Sequence, residues 1–415
     1  MRPHRRDFLR SSLAASSLVS MGAATVPGFL GRSARAAADS KANGRILVVV
    51  QLIGGNDGLN TVVPHGIDGY NRGRRALRIA AGQVHKVTPE IGLHPSMGAM
   101  AKMIEDGKLA VVQGVGYPNP DRSHFRSMEI WETARTDPDA VDTGWIGRTL
   151  DERPSKPGDD PAAIHIGPRS LPIALKAGRA EVPSLASLEE YRLKFAGDAD
   201  RRAARDGVDR SGRPDAPVDD PLLGFLRRST LAAYESSRRL EEVAKPKSGG
   251  PAYPSYGLAR RLELIAQVIK SGYGTRIYYT TLDGFDTHAN QLGTHTALLL
   301  ELSDSIAAFR RDLEGAGQGD RVAVLGFSEF GRRVAENASM GTDHGAAAPV
   351  FVAGPVVKAG LVGTHPSLDD LDEGDQKHGV DFRRVYASAL ETWLGCPSAP
   401  VVGAGFAPME LFRPA

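Results

Sequence analysis

Short, uninterrupted apolar runs constrain the fold of this chain more than any other sequence feature. Residues 45–52 read RILVVVQL and lead into a Gly-Gly turn. Because polar residues do not alternate with apolar ones, the run suits a buried parallel strand better than a half-exposed one. Similar runs occupy residues 109–113, 276–282, 321–327 and 349–353. We therefore predict a buried strand at each of these places.

Segments with the apolar spacing of helices lie between the runs. They cover residues 95–106, 125–134, 257–270, 294–313 and 382–394. Strands that alternate with helices predict an α/β fold, with a mostly parallel central sheet flanked by helices on both faces. Open sheets of this kind place their ligand sites just after the carboxyl ends of the strands. Polar residues at those positions are therefore the first candidates for a site.

The N-terminus carries the three parts of a cleavable export signal. A paired arginine, Arg5 and Arg6, precedes an uncharged stretch of apolar and small residues over 11–30, and Ala-Arg-Ala at 34–36 offers a cleavage site. These features predict a twin-arginine signal peptide over residues 1–36. Ser, Gly, Ala and Thr dilute the stretch too much for it to serve as a membrane anchor. We therefore expect no stable membrane span after cleavage. We expect the twin-arginine export machinery as a partner and a periplasmic or otherwise extracytoplasmic mature protein.

Composition limits the partners and cofactors. The chain has 415 residues, of which 41% are hydrophobic and 24% charged, and its net charge is +2. A charge so close to balance argues against nucleic acid as a partner. Because Cys396 is the only cysteine, the chain can form neither an intramolecular disulfide nor a cysteine-based zinc site. Any metal must be held by His, Asp, Glu or hydroxyl groups.

The mature chain is predicted to form a single domain over residues 37–415. Residues 151–217 are rich in Pro, Gly, Asp and Arg and have weak periodicity, and a second break falls at 245–254. This composition is typical of solvent-exposed connections rather than of sheet core. We therefore predict an inserted cap region over residues 151–255.

Two polar clusters in the first part of the chain are candidates for a site. Residues 54–60 read GGNDGLN after the first strand, where Asp57 could offer a hard oxygen ligand, although a plain turn uses the same residue types. Ser123, in the sequence DRSH, precedes a helical segment and suits a helix N-cap. A hydroxyl at that place could also act as a nucleophile or metal ligand, because the helix dipole favours an oxyanion there.

Three further clusters lie in the second part of the chain. Asp286 and His288, in GFDTHAN, follow a strand and can converge on one cation through oxygen and nitrogen. Glu329, in SEFGRR, also follows a strand and could bind a metal, while Arg332 could hold an anionic group of a substrate. His344, in GTDHG, could reach a metal from a tight turn before the last strand. Together the clusters bring carboxylates, histidines and a serine to one edge of the sheet.

Other motifs receive weaker interpretations. The sequence GFSEFG has Phe330 where a nucleophile elbow of the G-x-S-x-G type needs its second glycine. The Gly-Asn-Asp block at 55–57 lacks the preceding Gly-Asp-Ser block of Ser-Gly-Asn-His esterases. His94 and His124 are interpreted as hydrogen-bonded structural residues, as most isolated histidines are.

Taken together, the motifs resemble a bacterial family of exported proteins known as domain of unknown function 1501. The resemblance is carried by the paired arginines, GGNDGLN, YPNPDRSHFRSMEIW, GFDTHANQ, SEFGR and GTDHG, and it extends over residues 47–406. That family is assigned to the alkaline-phosphatase-like superfamily, with sulfatases, phosphodiesterases and cofactor-independent phosphoglycerate mutases. The resemblance therefore implies the same mostly parallel sheet between helices, as an alkaline-phosphatase-like three-layer sandwich.

The resemblance also implies a function and roles for the candidate residues. The protein would be an exported hydrolase of small anionic phosphate or sulfate esters, with one or two divalent ions as cofactor and zinc as the expected metal. Ser123 would attack in line, and Arg122 or Arg332 would steady the equatorial oxygens of the transition state. The metal ligands would be Asp286, His288 and His344 for a first ion, and Asp57 and Glu329 for a second.

The sequence departs from the superfamily pattern at two points. The Asp and His that usually lie four residues apart are only two apart here, unless Asp283 takes the place of Asp286. An adjacent Asp-His pair is replaced by Ser328 and Glu329, so that one metal position lacks its histidine. The missing histidine favours an alternative function, namely a non-catalytic exported protein that binds a metal or a partner through a degenerate site.

Overall fold

A computed structural model describes residues 44–137, 142–153, 160–185 and 252–413 of the chain. The strands are β1 (Ile46–Ile53), β2 (Val62–Val63), β3 (His85–Lys86), β4 (Gly92–Leu93), β5 (Leu109–Gly116), β6 (Ala163–Ile166), β7 (Ser184–Leu185), β8 (Ile277–Asp283), β9 (Val322–Ser328), β10 (Ala348–Ala353), β11 (Gly360–Val362), β12 (Leu371–Asp372), β13 (Asp375–Gln376) and β14 (Val380–Asp381).

The α-helices are α1 (Gly58–Thr61), α2 (Asp68–Gly73), α3 (Gly98–Glu105), α4 (His124–Thr133), α5 (Trp145–Glu152), α6 (Gly257–Lys270), α7 (Gln291–Gly315), α8 (Phe382–Ala387) and α9 (Ala399–Val402). Short 3₁₀-helices occupy Pro95–Met97, Ile173–Leu175 and Gly319–Arg321, and a π-helix over Ser388–Leu394 continues α8. The predicted strands and helices are all present within a few residues of their predicted bounds.

The central sheet contains nine strands in the part of the chain that the structure describes. Their order is β11-β5-β10-β9-β1-β8-β6-β7, with β14 also paired to β5. The neighbouring strands are parallel except where β10 pairs with β5 and β9. Two small sheets, β2-β4-β3 and β12-β13, lie outside it.

The direction of β10 decides which loops meet. The carboxyl ends of β1, β5, β8 and β9 lie at one edge of the sheet, because these strands run in the same direction. Since β10 runs the opposite way, its amino end reaches that same edge. The loop that precedes β10 therefore meets the loops that follow the other strands.

Helices cover both faces of the sheet. Alternate residues of β1 point to opposite faces, so Val48 belongs to one core and Val49 to the other. The first core contains apolar side chains of α3, α6 and α7, and the second contains those of α4, α5, α8 and the π-helix. The predicted class, a mostly parallel sheet flanked by helices on both faces, is confirmed.

The predicted cap region differs from the structure where the two can be compared. Residues 160–185 lie inside it, yet they supply β6 and β7 to the edge of the central sheet. The buried AIHI sequence of β6 is too short to reveal a strand by periodicity alone. Most of the cap prediction, and the predicted signal peptide over 1–36, lie outside the described residues. Among the described helices, none is long and apolar enough to cross a membrane.

Candidate metal centre

The loops at the carboxyl edge of the sheet converge because their backbones pack closely. Gly54, just after β1, has a φ of +117°, and an added Cβ would overlap the backbone nitrogen of Asp286. Only glycine permits both the backbone conformation and the close approach. The exit of β1 is therefore pressed against the loop that follows β8.

Three imidazole nitrogens converge on one carboxylate oxygen at this edge. Asp286 Oδ1 lies 3.4 Å from His124 Nε2, 3.0 Å from His288 Nε2 and 3.1 Å from His344 Nε2. The Nε2 atoms of His288 and His344 are 2.9 Å apart. Ligand atoms of His124, Asp286 and His344 all lie within 4.8 Å of one another. This spacing allows His124, Asp286 and His344 to share a single cation, and His288 Nε2 lies next to the latter two.

Each of these imidazoles is held through its other ring nitrogen. His344 Nδ1 faces the backbone carbonyl of Arg122 at 2.7 Å. A carbonyl can only accept, so Nδ1 carries the proton and Nε2 keeps its lone pair.

Carboxylates hold the other two rings in the same way. His124 Nδ1 lies 2.8 Å from Glu329 Oε1, and His288 Nδ1 lies 3.3 Å from Asp343 Oδ1. An ionised carboxylate is likewise an acceptor, so Nδ1 carries a proton in both rings, and each ring in its neutral form presents an Nε2 lone pair towards Asp286. Histidines that bind metals are oriented by such contacts.

Neighbouring charges set the ionisation of the carboxylates. Burial raises the pKa of Asp286, but the hydrogen bond from Arg332 and the contact with His344 outweigh it and hold that pKa well below its usual range. A hydrogen bond from Asn337 and contacts with His288 lower the pKa of Asp343 despite partial burial. Both side chains are therefore anionic at neutral pH.

The histidines respond to different surroundings. The hydrogen bond with Glu329 is the largest influence on His124 and raises the pKa of its ring. Burial is the largest influence on His344 and lowers the pKa of that ring. His344 therefore keeps its Nε2 lone pair at neutral pH, as a metal ligand must.

Glu329 is fully buried and lies behind His124. Its Oε1 accepts hydrogen bonds from the backbone N–H of Gly54 at 2.8 Å and from His124, and its Oε2 accepts one from Ser328 Oγ at 3.1 Å. Both oxygens are thus used in orienting other groups. The structure brings Glu329 to the centre as a support for a histidine.

Asp57 lies in a different environment from the one its sequence position suggests. Its carboxylate is fully buried in a two-pronged ion pair with Arg74, at 2.6 Å and 2.9 Å, and accepts a further hydrogen bond from Gln291. Burial raises the pKa of Asp57, but Arg74 outweighs burial and lowers it. Asp57 is therefore not part of the cluster that His124, His344 and Asp286 form.

The two candidate arginines differ. Arg332 is buried, and its guanidinium donates to the carbonyls of Gly55 at 2.7 Å and Thr342 at 2.8 Å and to Asp286 Oδ1 at 2.8 Å. It is a rigidly held cation beside the centre. Arg122 pairs through its guanidinium with Asp375 and Glu373, at 2.8 Å and 3.0 Å, and approaches the centre through its backbone carbonyl.

Ser123 occupies the N-cap position of α4, next to His124. Its side chain is exposed and makes no capping hydrogen bond with the helix. Its backbone N–H donates to Asp121 Oδ1 at 2.7 Å. The predicted position is correct, but the predicted capping contact is absent, so the hydroxyl is not engaged by the helix that it precedes.

Comparison with known proteins identifies the family. The profile of a family described as "Protein of unknown function (DUF1501)" matches residues 45–396. The chain belongs to this family. The resemblance found in the sequence motifs is thereby confirmed. No curated protein matches this DUF1501 chain significantly.

Several solved structures are similar to this DUF1501 protein at low sequence identity. The zinc complex of the C-terminal periplasmic domain of EcEptC from Escherichia coli is 9% identical, with 86% of this chain and 84% of that chain covered and a TM-score of 0.38. The PsFucS1 sulfatase from Pseudoalteromonas sp. is 11% identical, with 99% and 78% covered and a TM-score of 0.39. A mutant TAB5 alkaline phosphatase with bound Mg is 12% identical, with 75% and 92% covered and a TM-score of 0.33.

The sequence analysis did not assign two residues of the candidate centre, His124 and Asp343. His124 was interpreted as structural because it stands alone, yet its place as the first residue of α4, next to Ser123, puts it on the same edge as the other clusters. Asp343 is adjacent to His344, and its pairing with His288 is a contact between distant loops. In both cases the available signal was a neighbouring site candidate: His124 follows Ser123 in DRSH, and Asp343 precedes His344 in GTDHG.

Proposed function

We propose that this chain is an exported, metal-dependent hydrolase of phosphate or sulfate esters. The observation that carries the proposal is the convergence of the Nε2 atoms of His124, His288 and His344 on Asp286 Oδ1. Export through the twin-arginine pathway is proposed from the N-terminal sequence, with its paired arginines and apolar stretch.

The residues present fit a divalent ion. Three imidazoles with inward lone pairs and one ionised carboxylate form a nitrogen-rich set, which suits zinc better than magnesium or calcium, since those ions prefer oxygen. We propose one zinc ion held by His124, His288, His344 and Asp286. Asp57 and Glu329 are left out of this ligand set, because Arg74 and His124 engage their carboxylates.

The chain's own residues would divide the remaining work. When bound, the ion would polarise an oxygen of the ester and lower the pKa of a nearby nucleophile. Ser123 is proposed as the nucleophile, because its exposed hydroxyl stands beside His124 at the N-terminus of α4, where the helix dipole favours negative charge. Arg332 would balance the charge of the transferred group, since backbone carbonyls already hold its guanidinium in place.

Metal binding without turnover is the second candidate function. Four protein ligands fill a tetrahedral shell, which is typical of structural zinc sites. Against this, the side chains of Asp286 and His288 are 49% and 44% exposed. An ester in solution could therefore reach the centre and bind as a fifth ligand, which zinc accepts in catalytic sites, and for this reason we favour the hydrolase.

Metal analysis combined with hydrolysis assays tests the proposal. The purified full chain is assayed on an aryl phosphate, an aryl phosphodiester and an aryl sulfate, before and after chelation and zinc restoration. We expect zinc-dependent turnover of at least one ester, and Ser123→Ala should abolish turnover while retaining zinc. Ser271→Ala, at the end of α6, is the matched serine control and should retain both. Bound zinc with no turnover of any ester would support the second candidate instead.

A further inference from the structure

Three exposed apolar side chains lie within four residues of proposed metal ligands. Phe125, Leu292 and Met340 are 85%, 45% and 53% exposed, and we call them the apolar rim. Among the described residues, the other large hydrophobic side chains with comparable exposure are Leu171 and Leu300. Exposed apolar surface that is concentrated at a polar cleft is a common property of ligand sites.

The first part of the rim adjoins His124. Phe125 is the next residue in α4, and the ring of His124 lies 4.4 Å from that of His344 between centroids. Phe125 therefore stands in the first turn of a helix whose first residue belongs to the centre. Its nearly complete exposure leaves most of its ring available to a ligand.

The second part of the rim adjoins His288. The carbonyl of Met340 accepts a hydrogen bond from Gln291 N–H at 2.9 Å, which brings Met340 next to Leu292. An added Cβ at Gly341 would overlap the backbone carbonyl of His288. Met340 and Leu292 thus lie on the two neighbouring segments that carry His344 and His288.

The backbone at Met340 is held in an unusual conformation. Its φ is +54°, in the left-handed region that methionine rarely adopts. Asn290, with a φ of +46°, donates its N–H to the carbonyl of Ser339 and ties the same two loops together. Backbone strain of this kind is concentrated at functional sites, where the surrounding structure maintains it.

Resting on the proposed function, we infer that the substrate is amphiphilic. Its phosphate or sulfate group lies at the metal centre beside Arg332, and an alkyl or aryl group of its alcohol part lies against the apolar rim. The anionic end is fixed by charge, and the apolar end gains affinity because its surface leaves water. Methylene burial strengthens binding by about fourfold for each fully buried group.

Binding of two phosphonates of different chain length tests this inference without requiring turnover. Titration calorimetry of the zinc-loaded full chain with hexylphosphonate and methylphosphonate gives the ratio of their dissociation constants. Partial burial of the five additional methylenes should make hexylphosphonate bind at least about tenfold more tightly. Phe125→Ser and Met340→Ser should each reduce this ratio several-fold, whereas Leu300→Ser, an exposed leucine on α7, should leave it unchanged.

The outcomes separate the inference from the proposed function. A chain-length preference that depends on the rim supports the inference even if no ester is hydrolysed, in which case only the proposed hydrolysis fails. Equal affinities, no binding of either phosphonate, or a preference that survives both rim variants would overturn it. If the wild type is a dimer and Phe125→Ser makes it monomeric, the apolar rim is an interface between two copies of the chain. This result would also overturn the inference.

Discussion

His288 Nε2 lies 2.9 Å from His344 Nε2, although the Nδ1 atoms of both rings already face hydrogen-bond acceptors. With Nδ1 protonated, each Nε2 has a lone pair, and neither can donate to the other. Two facing lone pairs repel unless a positive charge lies near them. Arg332 Nη1, 3.5 Å from His288 Nε2, supplies part of that charge. Asp286 Oδ1, at 3.0 Å and 3.1 Å from the two rings, would complete a ligand set for a further cation.

Removal of a proposed ligand should abolish metal binding. We expect about one zinc per chain in the wild type, and His344→Ala and His124→Ala should lose it, because each removes a nitrogen aimed at Asp286. Elemental analysis after dialysis against a weak chelator measures the content. His85→Ala, on β3, is the control and should keep its zinc. Full zinc content in His124→Ala would remove His124 from the ligand set.

The carboxylate behind His288 should control metal affinity without binding the metal. Asp343→Asn weakens the acceptor on His288 Nδ1, and loss of such an orienting partner typically reduces affinity by about 10–100-fold. Competition with a chromophoric chelator gives the dissociation constant for zinc. The melting temperature of the metal-free protein should stay unchanged, since the Asp343 side chain is 54% exposed. Unchanged zinc affinity would contradict an orienting role for Asp343.

The ion pair between Asp57 and Arg74 should contribute to stability rather than to metal binding. Both side chains are fully buried, and removal of one partner from a buried pair costs about 3–5 kcal/mol because the other charge is left alone. Asp57→Asn should lower the free energy of unfolding by this order, as measured by urea denaturation of the metal-free protein. Its zinc content, measured on the folded fraction, should match that of the wild type. Loss of zinc would return Asp57 to the ligand set.

Burial of His165 should make the protein sensitive to mild acid. Burial lowers the pKa of this ring from 6.5 to about 4, so the unfolded chain binds more protons than the folded protein between these two values. The free energy of unfolding is therefore unaffected by this group above about pH 6.5. It should fall by about 1.4 kcal/mol for each pH unit below that until about pH 4.

The substitution His165→Gln isolates this contribution from that of other groups. Urea denaturation at a series of pH values should show a shallower acid slope for His165→Gln than for the wild type, while His85→Gln, the partly exposed control, should match the wild type. Equal slopes for His165→Gln and the wild type would show that His165 is not the titrating group.

The sequence alone determined the main strands and helices of the fold, and it predicted the sheet edge at which the candidate site lies. Runs such as 45–52 and 321–327 are apolar throughout, and burial on both faces leaves a parallel strand as their natural structure. The clusters with Asp286, His288 and His344 were also recognised, because polar residues at strand ends are local in sequence.

Only the tertiary structure decided which of these residues meet. Asp57 pairs with Arg74, 17 residues away in the sequence, and Glu329 orients His124, 205 residues away. The sequence does not show which of several charged residues pair in this way. Because β10 runs in the opposite direction to β9, His344, which precedes β10, lies at the edge where the other strands end. Local periodicity specifies a strand and its faces, whereas strand direction and the pairing of buried charges depend on contacts between distant segments, which no single segment encodes.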